Sequence, residues 1–219
     1  GAESMTGSTT LRRRGVWNTS MNVIFWVLLV LGLYLARSYS YLLFHTLIEV
    51  FAVVVACTIF VIAWNARRFM ENNYFLLLGI AFLFVGVIGV LHTLAYEGMA
   101  IFTNYGADLP TQLWVSARYL QSVSFLLAPL FFRQSLKPRL VFSIYAAVTG
   151  LLLLSIFLWG IFPACYIEGR GLTTFKIASE YVIIFILLLS TVMLLWRKDA
   201  FDKRVLYLLM TSIFIMVAS

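Results

Sequence analysis

The sequence predicts an all-α fold, a polytopic bundle of transmembrane helices, and three observations lead to this prediction. Hydrophobic residues make up 63% of the chain and charged residues only 11%, which is far from the composition of a soluble domain. The mean hydropathy is +0.97. Apolar runs of 16 to 22 residues recur along the chain, and each is close to the roughly 20 residues that a helix needs to cross a bilayer.

Seven spans account for these runs, at about residues 21–36, 43–64, 74–95, 111–132, 140–162, 176–196 and 205–219. Only 15 residues follow Arg204, so the seventh span is truncated, and we expect eight in the intact domain. The opening GAES before Met5 is interpreted as a cloning remnant, and residues 1–20 as a flexible cytoplasmic tail. Residues 21–219 are therefore predicted to form one integral-membrane domain.

The basic residues predict the orientation of the spans. Twelve of them lie before the first span or after the second, fourth and sixth: Arg12, Arg13, Arg14, Arg67, Arg68, Arg133, Lys137, Arg139, Arg197, Lys198, Lys203 and Arg204. The other side holds only Arg37, Arg170 and Lys176. Positive charge favours the cytoplasmic side, so we predict a multi-pass membrane protein with its N-terminus inside. The same charges then contact lipid headgroups, and nucleic-acid binding is not expected.

Enzyme motifs are missing from the sequence, which holds no GxSxG, Walker loop or Gly-rich dinucleotide turn. The predicted cytoplasmic loops are too short for a catalytic domain. We therefore expect that this chain is not an enzyme, and that any enzymatic output domain lies outside it.

Ionisable side chains inside membrane spans are costly and mark either a functional site or a buried structural pair. The predicted spans hold five such side chains: His45 and Glu49 on the second span, His92 on the third, Arg118 on the fourth and Glu180 on the sixth. Counted from the outer end of each span at ~1.5 Å per residue, all five lie within ~10 Å of that end. Tyr96 follows His92 by four residues and shares its helical face. We predict a shared outer-leaflet pocket for a small ligand or lipid, formed by these six residues.

Two other interpretations of the polar residues stay open. Arg118 could simply neutralise Glu49 or Glu180, which would make the cluster a structural salt-bridge network. His45, His92 and Glu49 are also candidate metal ligands, and two histidines on neighbouring helices could hold a haem, so a membrane redox protein is the alternative function. A small transporter is disfavoured because its polar groups would lie at the midplane.

Small residues and cysteines have mainly structural interpretations. Gly79, Gly86 and Gly89 predict close helix packing, and Pro129 predicts a kink near the inner end of the fourth span. Cys57 and Cys165 are not expected to form a disulfide, since one lies in a span and the other in a loop.

Four sequence blocks follow one another along the chain: YLLFHTLIEVF, LHTLAYEGM, QLWVSARYL and FPACYIEGRGLTTFKIASEY. In their residues and their order they resemble the third MASE class of membrane-associated sensor domains. The resemblance spans roughly residues 40 to 219. It implies a bacterial inner-membrane input module, followed by a cytoplasmic output domain of the diguanylate cyclase or histidine kinase type, and output domains of this kind usually work as dimers.

Two departures from the family pattern bear on the pocket. The family often carries an acidic residue three positions before the second histidine, where this chain has Gly89. The family domain also continues through an eighth helix.

The predicted pocket and the family resemblance together lead to one hypothesis. The chain is a sensory domain in which a ligand engages the outer-leaflet pocket and shifts the C-terminal helix.

Overall fold

A computed structural model describes the backbone of residues 3–70, 73–132 and 134–218, and the side chains of those residues from position 21 onward except Asp199. The chain divides into two compact units, Gly1–Ile48 and Glu49–Ser219. The boundary between them falls within the second helix.

The regular secondary structure of the described residues is helical apart from one short hairpin. Its seven α-helices are α1 (Glu3–Tyr39), α2 (Tyr41–Ala66), α3 (Tyr74–Ala95), α4 (Asp108–Leu127), α5 (Pro138–Phe157), α6 (Thr174–Trp196) and α7 (Lys203–Ala218). The strands β1 (Tyr166–Ile167) and β2 (Gly171–Leu172) pair antiparallel between α5 and α6. The all-α prediction is therefore confirmed.

Six helices in this part of the chain are long and apolar enough to cross a membrane. They are Met21–Tyr39, Tyr41–Ala66, Tyr74–Ala95, Asp108–Phe132, Pro138–Phe157 and Thr174–Trp196. They correspond to the first six predicted spans, with ends that differ by a few residues. The seventh predicted span is the 16-residue helix α7, so the number of seven spans stays a prediction.

The first unit consists of α1 and the first turns of α2. The apolar side chains of α1 from Met21 onward are largely exposed, which suits contact with lipid. Ser40 separates the two helices, and its hydroxyl accepts a hydrogen bond of 3.3 Å from the amide of Leu43. The helix begins at Glu3, whereas we predicted a flexible tail up to residue 20. Extending an existing helix adds one hydrogen bond per residue fixed, without the cost of nucleation.

The core of the second unit is built around α3. This helix packs against α4 and α5, α4 packs against α6, and α6 packs against α7. Tyr74, Ile80 and Ile88 of α3 are fully buried, as is Leu113 of α4. Buried hydroxyls add interhelical hydrogen bonds, since Ser190 donates to the carbonyl of Phe125 at 2.9 Å. Packing and such hydrogen bonds are the main forces that join helices in lipid.

An aromatic cluster holds the chain segment that precedes α7. The ring of Phe201 lies 5.2 Å from Tyr74 and 4.5 Å from Phe132, measured between ring centroids. Phe132 ends a short 3₁₀ turn, Ala128–Phe132, which follows α4 and contains Pro129. The predicted kink at Pro129 is present as this change from α to 3₁₀ geometry. The cluster fixes where α7 begins relative to α3 and α4.

Glycines on α3 allow close contact with α2. A Cβ atom at Gly79 would lie only 2.5 Å from the Cβ of Ala63, and one at Gly86 would lie 3.4 Å from the Cβ of Ala56. Both glycines and both alanines are seven residues apart, so the small residues line up along one side of each helix. The predicted packing role of these two glycines is confirmed.

We expect Gly79→Ala to lower the free energy of unfolding by about 2 kcal/mol, because the added methyl group overlaps a neighbouring Cβ that cannot rotate away. Gly86→Ala should cost less than about 1 kcal/mol, since its contact is near van der Waals distance. Gly150→Ala is the matched control, because nothing lies within 4 Å of the added atom. Unfolding by SDS titration in bicelles measures all three, and equal values at positions 79 and 150 would contradict the prediction.

Candidate functional site

A cavity of about 240 Å³ lies between α2, α3 and α4 of the second unit. We call it the histidine cavity. Its polar lining consists of Glu49, His92, Trp114, Arg118 and Gln121. Apolar and small residues complete it: Ala52, Val53, Ala56, Phe82, Val85, Gly86, Gly89 and Ala117. The cavity therefore offers hydrogen-bonding groups at some points of a largely apolar wall.

His92 is buried and its ring is oriented by a backbone carbonyl. It is 8% exposed, and its Nδ1 lies 2.8 Å from the carbonyl oxygen of Pro110 on α4. A carbonyl oxygen only accepts hydrogen bonds, so Nδ1 carries a hydrogen. In the neutral ring the lone pair is then on Nε2. A fixed tautomer of this kind prepares a histidine to accept a hydrogen bond or to ligate a metal.

Glu49 approaches His92 from α2. One carboxylate oxygen of Glu49 and one ring nitrogen of His92 lie within 4.8 Å of each other. Gly89, three residues before His92 on α3, lines the same cavity. A Cβ atom at Gly89 would lie 3.5 Å from Val53, an ordinary contact distance, so the position has room for a small side chain.

Arg118 lies between the histidine cavity and α7. Its Nη2 donates a hydrogen bond to the backbone carbonyl of Met216 on α7, and its guanidinium carbon is 5.2 Å from the ring centroid of Trp114. Arg118 and Trp114 also line a second cavity of about 140 Å³, which we call the arginine cavity, together with Glu180, Ile183, Ile184, Met216 and Val217. One guanidinium group thus borders both cavities and contacts α7.

Lys176 extends this group of charges onto α6. It is 7% exposed, its ammonium group lies 4.0 Å from the ring centroid of Trp114, and it forms an ion pair with Glu180 one turn further along α6. Two cations therefore contact the same indole ring. The carboxylates of Glu49 and Glu180 balance the charges of Arg118 and Lys176, so the four side chains together are neutral.

Asp108 at the start of α4 fixes the segment between α5 and α6. Its Oδ1 accepts hydrogen bonds from the amides of Cys165 at 2.6 Å and Tyr166 at 2.8 Å. One turn later Gln112 donates to the carbonyls of Phe162 and Pro163, each at 3.3 Å. These two α4 side chains hold the hairpin against the end of the bundle that carries His92.

Burial raises the pKa of the Cys165 thiol to about 11. The negative charge of Asp108 raises it further, and the positive charge of Lys176 opposes the shift. A raised thiol pKa means less thiolate near neutral pH, and the thiolate is the reactive form. With Cys57 replaced by Ser, we expect slow modification of Cys165 by a water-soluble maleimide at pH 7.5, with a rate that rises through pH 10. Rapid modification at pH 7.5 that does not change with pH would contradict this.

A third cavity, of about 490 Å³, lies at the same end of the second unit. We call it the loop cavity. It is formed by the connection between α3 and α4 and by the hairpin. Tyr96 lines it, and the ring of Tyr96 also contacts that of His92 edge-on, with centroids 6.4 Å apart. The ring pair therefore connects the wall of the loop cavity to that of the histidine cavity.

The structure distributes the six predicted site residues over several places. Glu49, His92 and Arg118 line the histidine cavity, Glu180 lines the arginine cavity with Arg118, and Tyr96 lines the loop cavity. His45 belongs to the first unit, where its ring stacks on that of Tyr41 with centroids 6.3 Å apart. The involvement of His45 in one pocket with the other residues stays a prediction.

Sequence reasoning left Lys176, Asp108 and Gln112 out of the site. Lys176 precedes Glu180 by four residues, which is the spacing of a helical ion pair, so the sequence itself indicates that Lys176 contacts this site residue. Asp108 and Gln112 are also four residues apart, but their partners are backbone groups at least 50 residues away along the chain. No local sequence pattern indicates those partners.

The apolar helices and their buried polar cavities define a multi-pass membrane protein of the helical class. The family model of MASE3, described as a membrane-associated sensor domain, matches residues 36–219. The chain therefore belongs to this family of sensor domains. Searches of curated proteins and of solved structures gave no match.

Proposed function

We propose that this sensor domain receives its stimulus as a small, uncharged, amphipathic molecule in the histidine cavity and transmits binding to α7. The observation that carries the proposal is the position of Arg118, which lines the cavity and also donates to the carbonyl of Met216 on α7. A ligand that accepts a hydrogen bond from Arg118 competes with that carbonyl. Binding then favours an arrangement of helices in which α7 is released.

The charges around the cavity support an uncharged ligand. Glu49 and Glu180 offset Arg118 and Lys176, so a ligand with a net charge would leave one charge unbalanced in a poorly solvated place. The apolar wall of Val53, Ala56 and Phe82 suits a hydrophobic body, while His92 and Arg118 suit a polar end group. A lipid-like or quinone-like molecule has this character.

We place the sensor in the bacterial cytoplasmic membrane, with its N-terminus inside and the histidine cavity towards the outer leaflet. The asymmetry of the basic residues supports this orientation. The partner in the same protein would be a cytoplasmic output domain of the diguanylate cyclase or histidine kinase type, operating as a homodimer. A motion of α7 would be the input to that domain.

Filling the histidine cavity tests the proposal in the protein joined to its output domain. We expect Gly89→Leu to keep the output at one level across growth conditions. The output is measured as cyclic di-GMP synthesis or autophosphorylation in membranes. The leucine side chain would occupy the space next to Val53 that the ligand requires.

Gly150→Leu is the matched control, because it makes the same exchange on α5 at a position where an added Cβ meets nothing within 4 Å. This variant should respond like the unmodified protein. A folded Gly89→Leu variant with the normal range of response would contradict the proposal.

A metal ion is the alternative ligand, and the geometry of Glu49 and His92 favours testing it. A carboxylate oxygen and a ring nitrogen within 4.8 Å of each other suit a shared divalent ion. If the cavity holds a metal, elemental analysis of the purified protein will give near-stoichiometric metal that Glu49→Gln removes. A haem would give a Soret band, and the membrane redox function depends on one of these two results.

A further inference from the structure

We propose that the loop cavity binds a small organic cation that carries a protonated amine or a quaternary ammonium group. Apart from Ala95 at the end of α3, the residues that line the cavity lie outside the candidate spans, on the connection between α3 and α4 and on the hairpin. The proposal is independent of the histidine cavity and of the ligand assigned there.

The lining of the loop cavity has a single sign of charge. Glu97 and Glu168 contribute carboxylates, and none of the described residues that line the cavity is basic. Both side chains are exposed to water, so a soluble cation can reach them. This contrasts with the histidine cavity, where acidic and basic groups balance.

Aromatic rings form the rest of the wall. Tyr96, Phe102, Tyr105 and Tyr166 all line the cavity. Rings attract ammonium groups through their negative faces, and aromatic walls combined with carboxylates are the usual means by which proteins recognise quaternary ammonium compounds. The lining therefore matches an organic cation better than a strongly hydrated metal ion, which requires oxygen ligands on most sides.

The aromatic wall is held in place by contacts outside the cavity. The ring of Phe102 packs 5.7 Å from that of Phe157 on α5, and the ring of Tyr105 lies 6.0 Å from the same ring. The backbone of Tyr166 is held by Asp108. A wall that is fixed before binding loses little conformational freedom when a ligand enters.

Glycines place the carboxylate of Glu168 at the edge of the cavity. A Cβ at Gly106 would lie 3.0 Å from Oε1 of Glu168, so the carboxylate packs against a position without a side chain. Gly169 follows with φ of +77°, which favours glycine and turns the hairpin at this point. Substitution at Gly106 therefore moves the carboxylate without removing it.

The volume and charge favour a free solute over a lipid headgroup. About 490 Å³ falls within the range of roughly 300–1,000 Å³ that is common for small-molecule sites. The headgroup of a zwitterionic lipid carries a phosphate close to its ammonium group. Glu97 and Glu168 repel that phosphate but attract a free amine.

Calorimetric titration with choline chloride tests the proposal on the whole chain in a maltoside detergent, which carries no charge. The matched probe is 3,3-dimethylbutan-1-ol, which has the shape of choline but no charge. We expect saturable binding of choline only. Glu97→Gln and Glu168→Gln should each weaken it by roughly ten-fold, because each removes a charged partner.

Gly106→Ala is a second variant that keeps both carboxylates, and it should weaken choline binding by displacing Glu168. Asp202→Asn, an exposed carboxylate on another connection, should leave binding unchanged. Equal binding of choline and the neutral alcohol would overturn the proposal, as would binding of Ca²⁺ without choline. Tighter binding of dihexanoylphosphatidylcholine than of choline would overturn the assignment to a free solute.

Discussion

Replacement of Arg118 by glutamine is expected to raise the hydrogen-exchange rates of the backbone amides in α7 by about 10- to 100-fold. Arg118 donates from α4 to the carbonyl of Met216, whereas the helix against which α7 mainly packs is α6. A hydrogen bond from a charged donor contributes roughly 1.5–3 kcal/mol, which corresponds to the expected change in rate. Glutamine is shorter and uncharged, so the bond to Met216 is lost.

The measurement is hydrogen–deuterium exchange of peptides from residues 203–218, with the protein in nanodiscs. Arg118→Lys should give an intermediate rate, because an ammonium group keeps the charge but lacks the planar group that also contacts Trp114.

Arg67→Gln is the matched control for this prediction. Arg67 makes the same two kinds of contact, over the ring of Trp64 at 4.6 Å and to the carbonyl of Trp64, but both are local. It should leave exchange in α7 unchanged. If Arg118→Gln has no more effect on α7 than Arg67→Gln, the link from the histidine cavity to α7 is wrong.

Replacement of Asp108 by alanine is expected to lower the free energy of unfolding by about 3 kcal/mol, the value of two charge-assisted hydrogen bonds. Both bonds go to backbone amides of the segment before α6, and Cys165 is fully buried. Without the carboxylate, the backbone N–H group of Cys165 would have no hydrogen-bond acceptor from Asp108, and water does not reach this buried position to replace it.

SDS titration in bicelles measures the stability change, and Asp108→Asn should cost less because the amide oxygen still accepts. Loss of the negative charge in Asp108→Asn should also lower the pKa of the Cys165 thiol and speed its reaction with maleimide. Asp202→Ala is the control, because Asp202 accepts one exposed bond from the amide of Arg204. Equal costs at positions 108 and 202 would show that the segment does not depend on Asp108.

The positions of the first six helices along the chain could be predicted from the sequence because hydropathy marks them. Apolar runs mark helices in lipid, since backbone groups there must bond within their own segment. The helical pairs with four-residue spacing, Trp114 with Arg118 and Lys176 with Glu180, are also visible in the sequence. The contact of Lys176 with Trp114 is not, because it depends on how far α4 and α6 are shifted along each other.

The division of the polar residues among separate cavities could not be predicted either. Estimates of depth placed His92, Glu180 and Arg118 at similar levels, but depth says nothing about position around the bundle. Glu180 lines the arginine cavity and does not line the histidine cavity, since Arg118 and Trp114 stand between the two. Rotation of each helix about its axis sets this difference, and it follows from side-chain packing over the whole unit.

The two cations on the ring of Trp114 make that indole an optical probe of the site. Indole emission responds to nearby charge, and Arg118 and Lys176 contact this ring from two different helices. A variant in which the other five tryptophans are replaced by phenylalanine would emit from Trp114 alone. Any molecule that draws Arg118 away would then change the emission directly, so candidate stimuli can be screened in the membrane domain before its output is known.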